Sequence, residues 1–149
     1  MPQVGRVIQS AGKRMTKAYR FEFDSGNKIL LMRFGETRIT DELFGEAYKA
    51  LRQYAIATNP NAVIGDFSAA TQVELSVAFL QQLALEEPAV PQAGQRGRIA
   101  VFSCDAGLGA ARMFQMFAGS TRPLLHVVQS LDEALEALGV ESTQFEPLP

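Results

Sequence analysis

The chain has 149 residues, 47% of them hydrophobic and 20% charged, with a formal net charge of −2 and an isoelectric point near 5.4. That balance excludes a disordered chain, and it leaves no global basic field to draw the protein to nucleic acid or anionic lipid. Cys104 and His126 are the one cysteine and the one histidine, which excludes an intramolecular disulfide and a Cys/His zinc centre and fits a reducing cytoplasm.

The N-terminal segment carries Lys13, Arg14 and Lys17, read as a solvated stretch, and lacks the apolar core of a signal peptide. No stretch reaches the roughly 20 apolar residues that a membrane-spanning helix needs. A single domain over residues 1–149 is expected, with a core from about residue 15 to about residue 140 and flexible ends.

"YRFEFDSGNKILLMRF" is the clearest local signal. Tyr19, Phe21 and Phe23 alternate with Arg20, Glu22 and Asp24, the period of a strand with one wet face. Ser25, Gly26 and Asn27 supply a turn, because Gly and Asn tolerate positive φ cheaply. "KILLMRF" then runs apolar without alternation, as a strand covered on both faces does. Thr40 predicts the cap of a first helix, with Asp41 and Glu42 where the positive end of the dipole favours carboxylates. Leu43, Ala47, Leu51, Tyr54 and Ala55 share one face of that helix, and Asn59-Pro60 stops it. "AVIGDF" is too short and β-branched to be anything but a buried strand.

A second helix follows, with Val73, Val77, Leu80 and Ala84 on one stripe, ending before Pro88. "EEPAVPQAGQRGR" reads as a surface loop and "IAVFS" as another buried strand. "GLGAARMFQMFAG" predicts a third helix with Met113, Phe114 and Phe117 inward, and "LLHVV" the last strand. Ser130 and Glu133 form a capping box for a fourth helix, along which Leu131, Leu135 and Leu138 precede Gly139 at its C-terminal cap. "VESTQFEPLP" reads as a tail. The expected fold is α/β in the order β-β-α-β-α-β-α-β-α. An N-terminal hairpin would feed a mixed, mostly parallel five-stranded sheet covered by helices.

The hairpin stretch, "VIGDFSAAT", "ARMFQMF" and "TRPLLHVVQSLDEALEALGV" together resemble the STAS superfamily, more narrowly the small stand-alone SpoIIAA-like proteins akin to anti-sigma factor antagonists. The resemblance covers about Tyr19 to Gly139. It implies a SpoIIAA-like STAS fold and a non-catalytic regulatory or interaction domain that binds a protein partner in a bacterial cytoplasm. In antagonists of this family a strand ending in Asp-Leu-Ser leads to a loop and then to a phosphorylatable serine that opens the second helix. By that resemblance Asp66 to Ser68 match the strand end and Ser76 falls at the phosphoserine position, with Leu75 and Val77 departing from the pattern around it. A phosphate there adds about −1.5 to −2 charge, enough to disrupt an interface built for a neutral surface.

The residues also support a plainer account. Thr71-x-x-Glu74 has the form of a capping box, in which Ser76 is an ordinary residue of the second helical turn. Asp66 ends a strand where open α/β sheets place ligands, or it stabilises its own loop. Gly107 and Gly109 lack the third glycine of a dinucleotide motif, although a helix start there offers free amides to an anion, with Arg112 nearby. Seven residues separate Cys104 from Arg112, too many for a cysteine-phosphatase loop, so Cys104 reads as a small buried thiol. His126 reads as a satisfied strand histidine, and Arg122 as a solvent-exposed or ion-paired cation. No catalytic residue, metal or cofactor is assigned.

Met113, Phe114, Met116 and Phe117 occupy more than one helical face. Core packing explains most of them; the surplus suits a homodimer contact or the wall of an apolar pocket. The alternative function is therefore a carrier or sensor of a small apolar ligand, in a cavity like that of lipid-transfer proteins whose sheets STAS-like sheets resemble.

Overall fold

The computed structural model describes residues 18–86, 98–102, 105–118 and 125–149. Its elements run β1 (Tyr19–Asp24), β2 (Ile29–Phe34), β3 (Arg38–Thr40), α1 (Asp41–Thr58), β4 (Ala62–Asp66), β5 (Gln72–Glu74), then α2 (Val77–Glu86). After these come β6 (Arg98–Phe102), α3 (Asp105–Ala118), β7 (Leu125–Val128), α4 (Leu131–Ala137) and β8 (Glu146–Pro147). The protein is α/β with a mixed sheet, in the order β7-β6-β4-β2-β1-β8.

β1 and β2 form the opening hairpin, in register from Tyr19 opposite Phe34 to Asp24 opposite Ile29. Its turn works differently from expectation. Gly26 and Asn27 do not supply the positive φ; Lys28 does, at 56°. The buried carboxylate of Asp24 organises the turn instead, accepting from the Gly26 amide at 3.0 Å and from Asn27 Nδ2 at 2.8 Å. An aspartate can bond backbone two residues on, which holds the reversal while Lys28 takes the left-handed position.

β2, β4, β6 and β7 are parallel, and their crossovers all step the same way across the sheet. Right-handed crossovers then put α1, α2 and α3 on one face. On that face Tyr19, Phe21, Leu30, Met32 and Phe34 of the hairpin pack against Phe44, Ala47, Tyr48, Leu51 and Ala55 of α1, joined by Leu83 of α2. The alternate residues Ile29, Leu31, Ala62 and Ile64 lie on the other face, under Ala134 and Leu138 at α4. Ile29, Leu30, Leu31 and Ile64 are essentially sealed from water, and full burial of one such side chain stabilises by about 1.5–3 kcal/mol.

Local capping sets the helix bounds. Thr40 caps α1 by accepting from the Leu43 amide at 3.2 Å, and Asn59 ends it in the left-handed region at φ 49°. The buried stripe of α1 takes in Phe44 and Tyr48, while Leu43 and Tyr54 sit at its margins. Ser130 caps α4 by accepting from the Glu133 amide at 3.1 Å, and Glu133 reaches back to the amide of Gln129 at 2.9 Å. At its far end Gly139 takes φ 74°, and the Gly139 and Val140 amides donate to Glu136 and Leu135 carbonyls at 3.0 and 2.9 Å. This is the paired bonding of a Schellman motif, for which glycine is the natural residue.

Three further points depart from expectation. The sheet has six strands rather than five, because residues 146–147, read as tail, form β8 against β1, and Leu148 donates to the Phe21 carbonyl at 2.9 Å. A separate parallel pair, β3 with β5, was not anticipated; three-residue strands are too short to show a period. The polar face of β1 is wet only at Arg20, since Glu22 and Asp24 are both buried. Lys13, Arg14, Lys17, Cys104, Arg122 and most of the loop from Glu86 to Arg98 lie outside the described residues.

Candidate functional site

Parallel strands deliver their carboxyl ends, and the helix starts that follow, to one end of the sheet. At that end β4 finishes on Asp66, which is only 3% exposed. Its Oδ1 accepts from the Ser68 amide at 2.9 Å and from the Ser68 hydroxyl at 2.7 Å, so Asp66 does order its own loop. Its Oδ2 accepts from Arg33 Nη1 at 3.4 Å, directly opposite in the β2–β4 register. Arg33 also lies 3.4 Å from Glu22 Oε2, which accepts from Arg20 Nε at 2.8 Å. The result is a row of alternating charge, Arg20–Glu22–Arg33–Asp66, across three strands on the α4 face. Arg33 Nε is close enough to Glu22 for an ion pair but not aligned for a hydrogen bond, and it is buried without a bonding partner. Arg33 is the basic partner of Asp66 that sequence reasoning missed, because the contact appears only once the strand register is known.

The second group centres on Ser76. The predicted capping box is overturned: residues Gln72–Glu74 are strand β5, the Thr71 amide donates to the Thr37 carbonyl at 2.9 Å, and Glu74 pairs with Arg38 at 3.1 Å. Val73 therefore leaves the helical stripe, Val77 is half exposed, and Leu80, Leu83 and Ala84 are what α2 buries. Ser76 itself is the cap of α2. Its Oγ accepts from the Phe79 amide at 3.1 Å and donates to Asp41 Oδ2 at 2.7 Å, while its amide donates to Asp41 Oδ1 at 2.8 Å. Asp41 is the first residue of α1, so one exposed serine caps one helix and ties it to the start of another. Asp41 reads in the sequence only as a first-turn carboxylate, and nothing 35 positions away points to Ser76. Among the described residues no hydrogen bond joins the Asp66–Ser68 pair to the Ser76–Asp41 pair.

Gly107 and Gly109 follow the carboxyl end of β6 at this same end of the sheet, but not in a loop. α3 begins at Asp105, so Gly107 is its third residue and Gly109 its fifth. Only the first four amides of a helix are left unpaired, which removes Gly109 from an amide cradle. Arg112 is exposed in the next turn. Met113 is half-buried and Met116 is 76% exposed; the side chains of Phe114 and Phe117 lie outside the described residues. His126 is on β7 with a buried Nε2 that has no hydrogen-bond partner, contrary to the satisfied histidine expected. Among the described residues no group of three or more His, Cys, Asp or Glu could hold a metal ion, and no helix is long and apolar enough to cross a membrane.

No protein-family model matches the chain, and no curated protein matches it in sequence.

Proposed function

We propose that the chain is a non-catalytic, STAS-like regulatory domain of the SpoIIAA-like kind, which binds a protein partner at the end carrying Ser68 and Ser76. Modification of Ser76 would govern that binding. One observation carries the reading: Ser76 is exposed, opens α2, and spends its hydroxyl proton on Asp41. Phosphorylation replaces that proton with about −1.5 to −2 charge. The dianion would gain from the amides at the start of α2, but it would face the Asp41 carboxylate at the start of α1. The tie between the two helices then opens, and the surface offered to a partner changes in both charge and shape. The hairpin and the alternating strands and helices behind it support the same reading, while β3, β5 and β8 are additions to the expected order.

The test is capture from the native cell on immobilised wild-type, Ser76→Ala and Ser76→Asp proteins, with intact-mass measurement after incubation with ATP and lysate. A partner held by wild type and Ser76→Ala but lost by Ser76→Asp is the expected result, together with a single added phosphate absent from Ser76→Ala. Retention of every partner by Ser76→Asp, with no phosphate on wild type, would overturn the reading.

A further inference from the structure

We infer that the β1 edge of the sheet is a seat for residues 142–149 of a second copy of this chain, so that two copies pair by trading these segments. The seat is defined by what already lies in it. At the hairpin turn the Ser142 carbonyl accepts from Asn27 Nδ2 at 2.9 Å. Phe145 packs on the aliphatic core beneath α4, and Leu148 packs on the aromatic core beneath α1. Between them Glu146 pairs with Phe23 and Pro147 with Glu22. The Leu148 amide donates to the Phe21 carbonyl at 2.9 Å, and the Tyr54 hydroxyl donates to the Pro149 carbonyl. The segment is a strap over the sheet edge, with one apolar anchor on each face.

The partners named for the strap all come earlier in the chain than Gly139. A second copy therefore offers the same anchors to the same seat, and an exchange keeps every one of these contacts. That is the condition for domain swapping, which closes as a dimer. A hinge is present as well. Gly139, at φ 74°, ends α4, and residues 140–145 form neither helix nor strand, with Glu141, Ser142 and Gln144 exposed. Fully extended, residues 140–144 span about 17 Å, more than three strand spacings of about 4.8 Å, which carries the strap clear of its own edge. Release breaks few backbone bonds, because β8 contributes only Glu146 and Pro147 to the ladder. A tethered strap competes at an effective concentration on the order of millimolar, so exchange is populated as the chain approaches that level.

The strand register supplies the test. Phe23 and Glu146 face each other, and opposed antiparallel positions lie within disulfide reach. Full chains carrying Phe23→Cys or Glu146→Cys, each with Cys104→Ala, are mixed and oxidised, one of them isotope-labelled so that mass distinguishes the pairs. At about 1 mM the disulfide between the two different variants should be several-fold more abundant than either same-variant disulfide, with the excess shrinking at about 10 μM. Random pairing at about 1 mM would overturn the inference. If Phe23→Cys fails to fold, sedimentation of the unmodified chain over the same range decides. Its mass should rise from 16.3 kDa towards twice that value, while Phe145→Ala with Leu148→Ala, which strips both anchors, should keep the single-chain mass. A single-chain mass for the unmodified protein at about 1 mM, or a rise equal in the stripped variant, would also overturn it.

Discussion

Under α1 the sheet buries aromatic rings in a connected chain, whereas under α4 it buries aliphatic side chains and then turns charged. On the first face Phe34 stacks on Phe44 and Phe67 at centroid distances of 5.9 and 5.4 Å, and Phe44 continues to Tyr48 and Phe79. Tyr19 and Phe21 extend the chain to Tyr54. An 18-residue helix can roof rings of that size; α4, with seven residues, covers little more than Ile29, Leu31, Ala62 and Ile64. Beside them, the same face of β1, β2 and β4 carries the Arg20–Glu22–Arg33–Asp66 row. Burying those carboxylates is costly unless each is paired, so the second face depends on matched charge where the first depends on packed volume.

The comparison is most severely tested at Phe34. Phe34→Ala should cost about 3–5 kcal/mol, read as a lower urea midpoint with little change in slope. Arg33→Met should cost about 2 kcal/mol, below the 3–5 typical of a fully buried pair because the Arg33 side chain remains 30% exposed. Adding Asp66→Leu to Arg33→Met should regain part of that loss. A double variant less stable than the single one would show that the row does not act by charge pairing. Ser76→Ala and Asp41→Ala should each cost about 1 kcal/mol through the lost cap and tie, with a coupling energy above about 0.5 kcal/mol in a double-mutant cycle.

The smallest effect concerns Tyr19. Burial raises its pKa above the ordinary 10.0, and the hydrogen bond to Glu46 at 3.0 Å raises it further. Above that pH the unfolded chain loses the phenolic proton first, so the folded state binds more protons and stability falls as pH rises. This contribution is fully present below pH 10 and is lost as pH climbs through the raised value. Tyr19→Phe should flatten the alkaline side of the stability profile, and an unchanged slope would show that another group controls it.

Individual elements are legible in the sequence where a period or a cap is local. The alternation of Tyr19, Phe21 and Phe23, the Thr40 and Ser130 caps and the glycine at 139 all act within a few residues, and each lies where its local chemistry predicts. The capping box at Thr71 failed because Thr-x-x-Glu is equally compatible with a short strand, and the pairing of β5 with β3 decided between them. Asp24 falls on the face that the alternation marks as wet, though its carboxylate serves the turn next to it. In the candidate site, Asp66 and Ser68 are legible as a carboxylate and a hydroxyl at a strand end, whereas Ser76 falls at a helix start only through the family resemblance, its local pattern placing it in the second turn. Arg33 and Asp41 are not legible, because each meets its partner over 30 residues away through strand register or helix placement.

The placement of β8 has a kinetic consequence. Phe23 and Glu146 face each other although about 120 residues lie between them, and the Tyr54 hydroxyl bonds the Pro149 carbonyl over a comparable reach. Closing so long a loop costs only logarithmically more than closing a short one, yet it requires the intervening strands and helices to be in place first. β8 should therefore dock late in folding and detach early in unfolding, leaving the outer flank of β1 bare in any nascent or partly opened molecule.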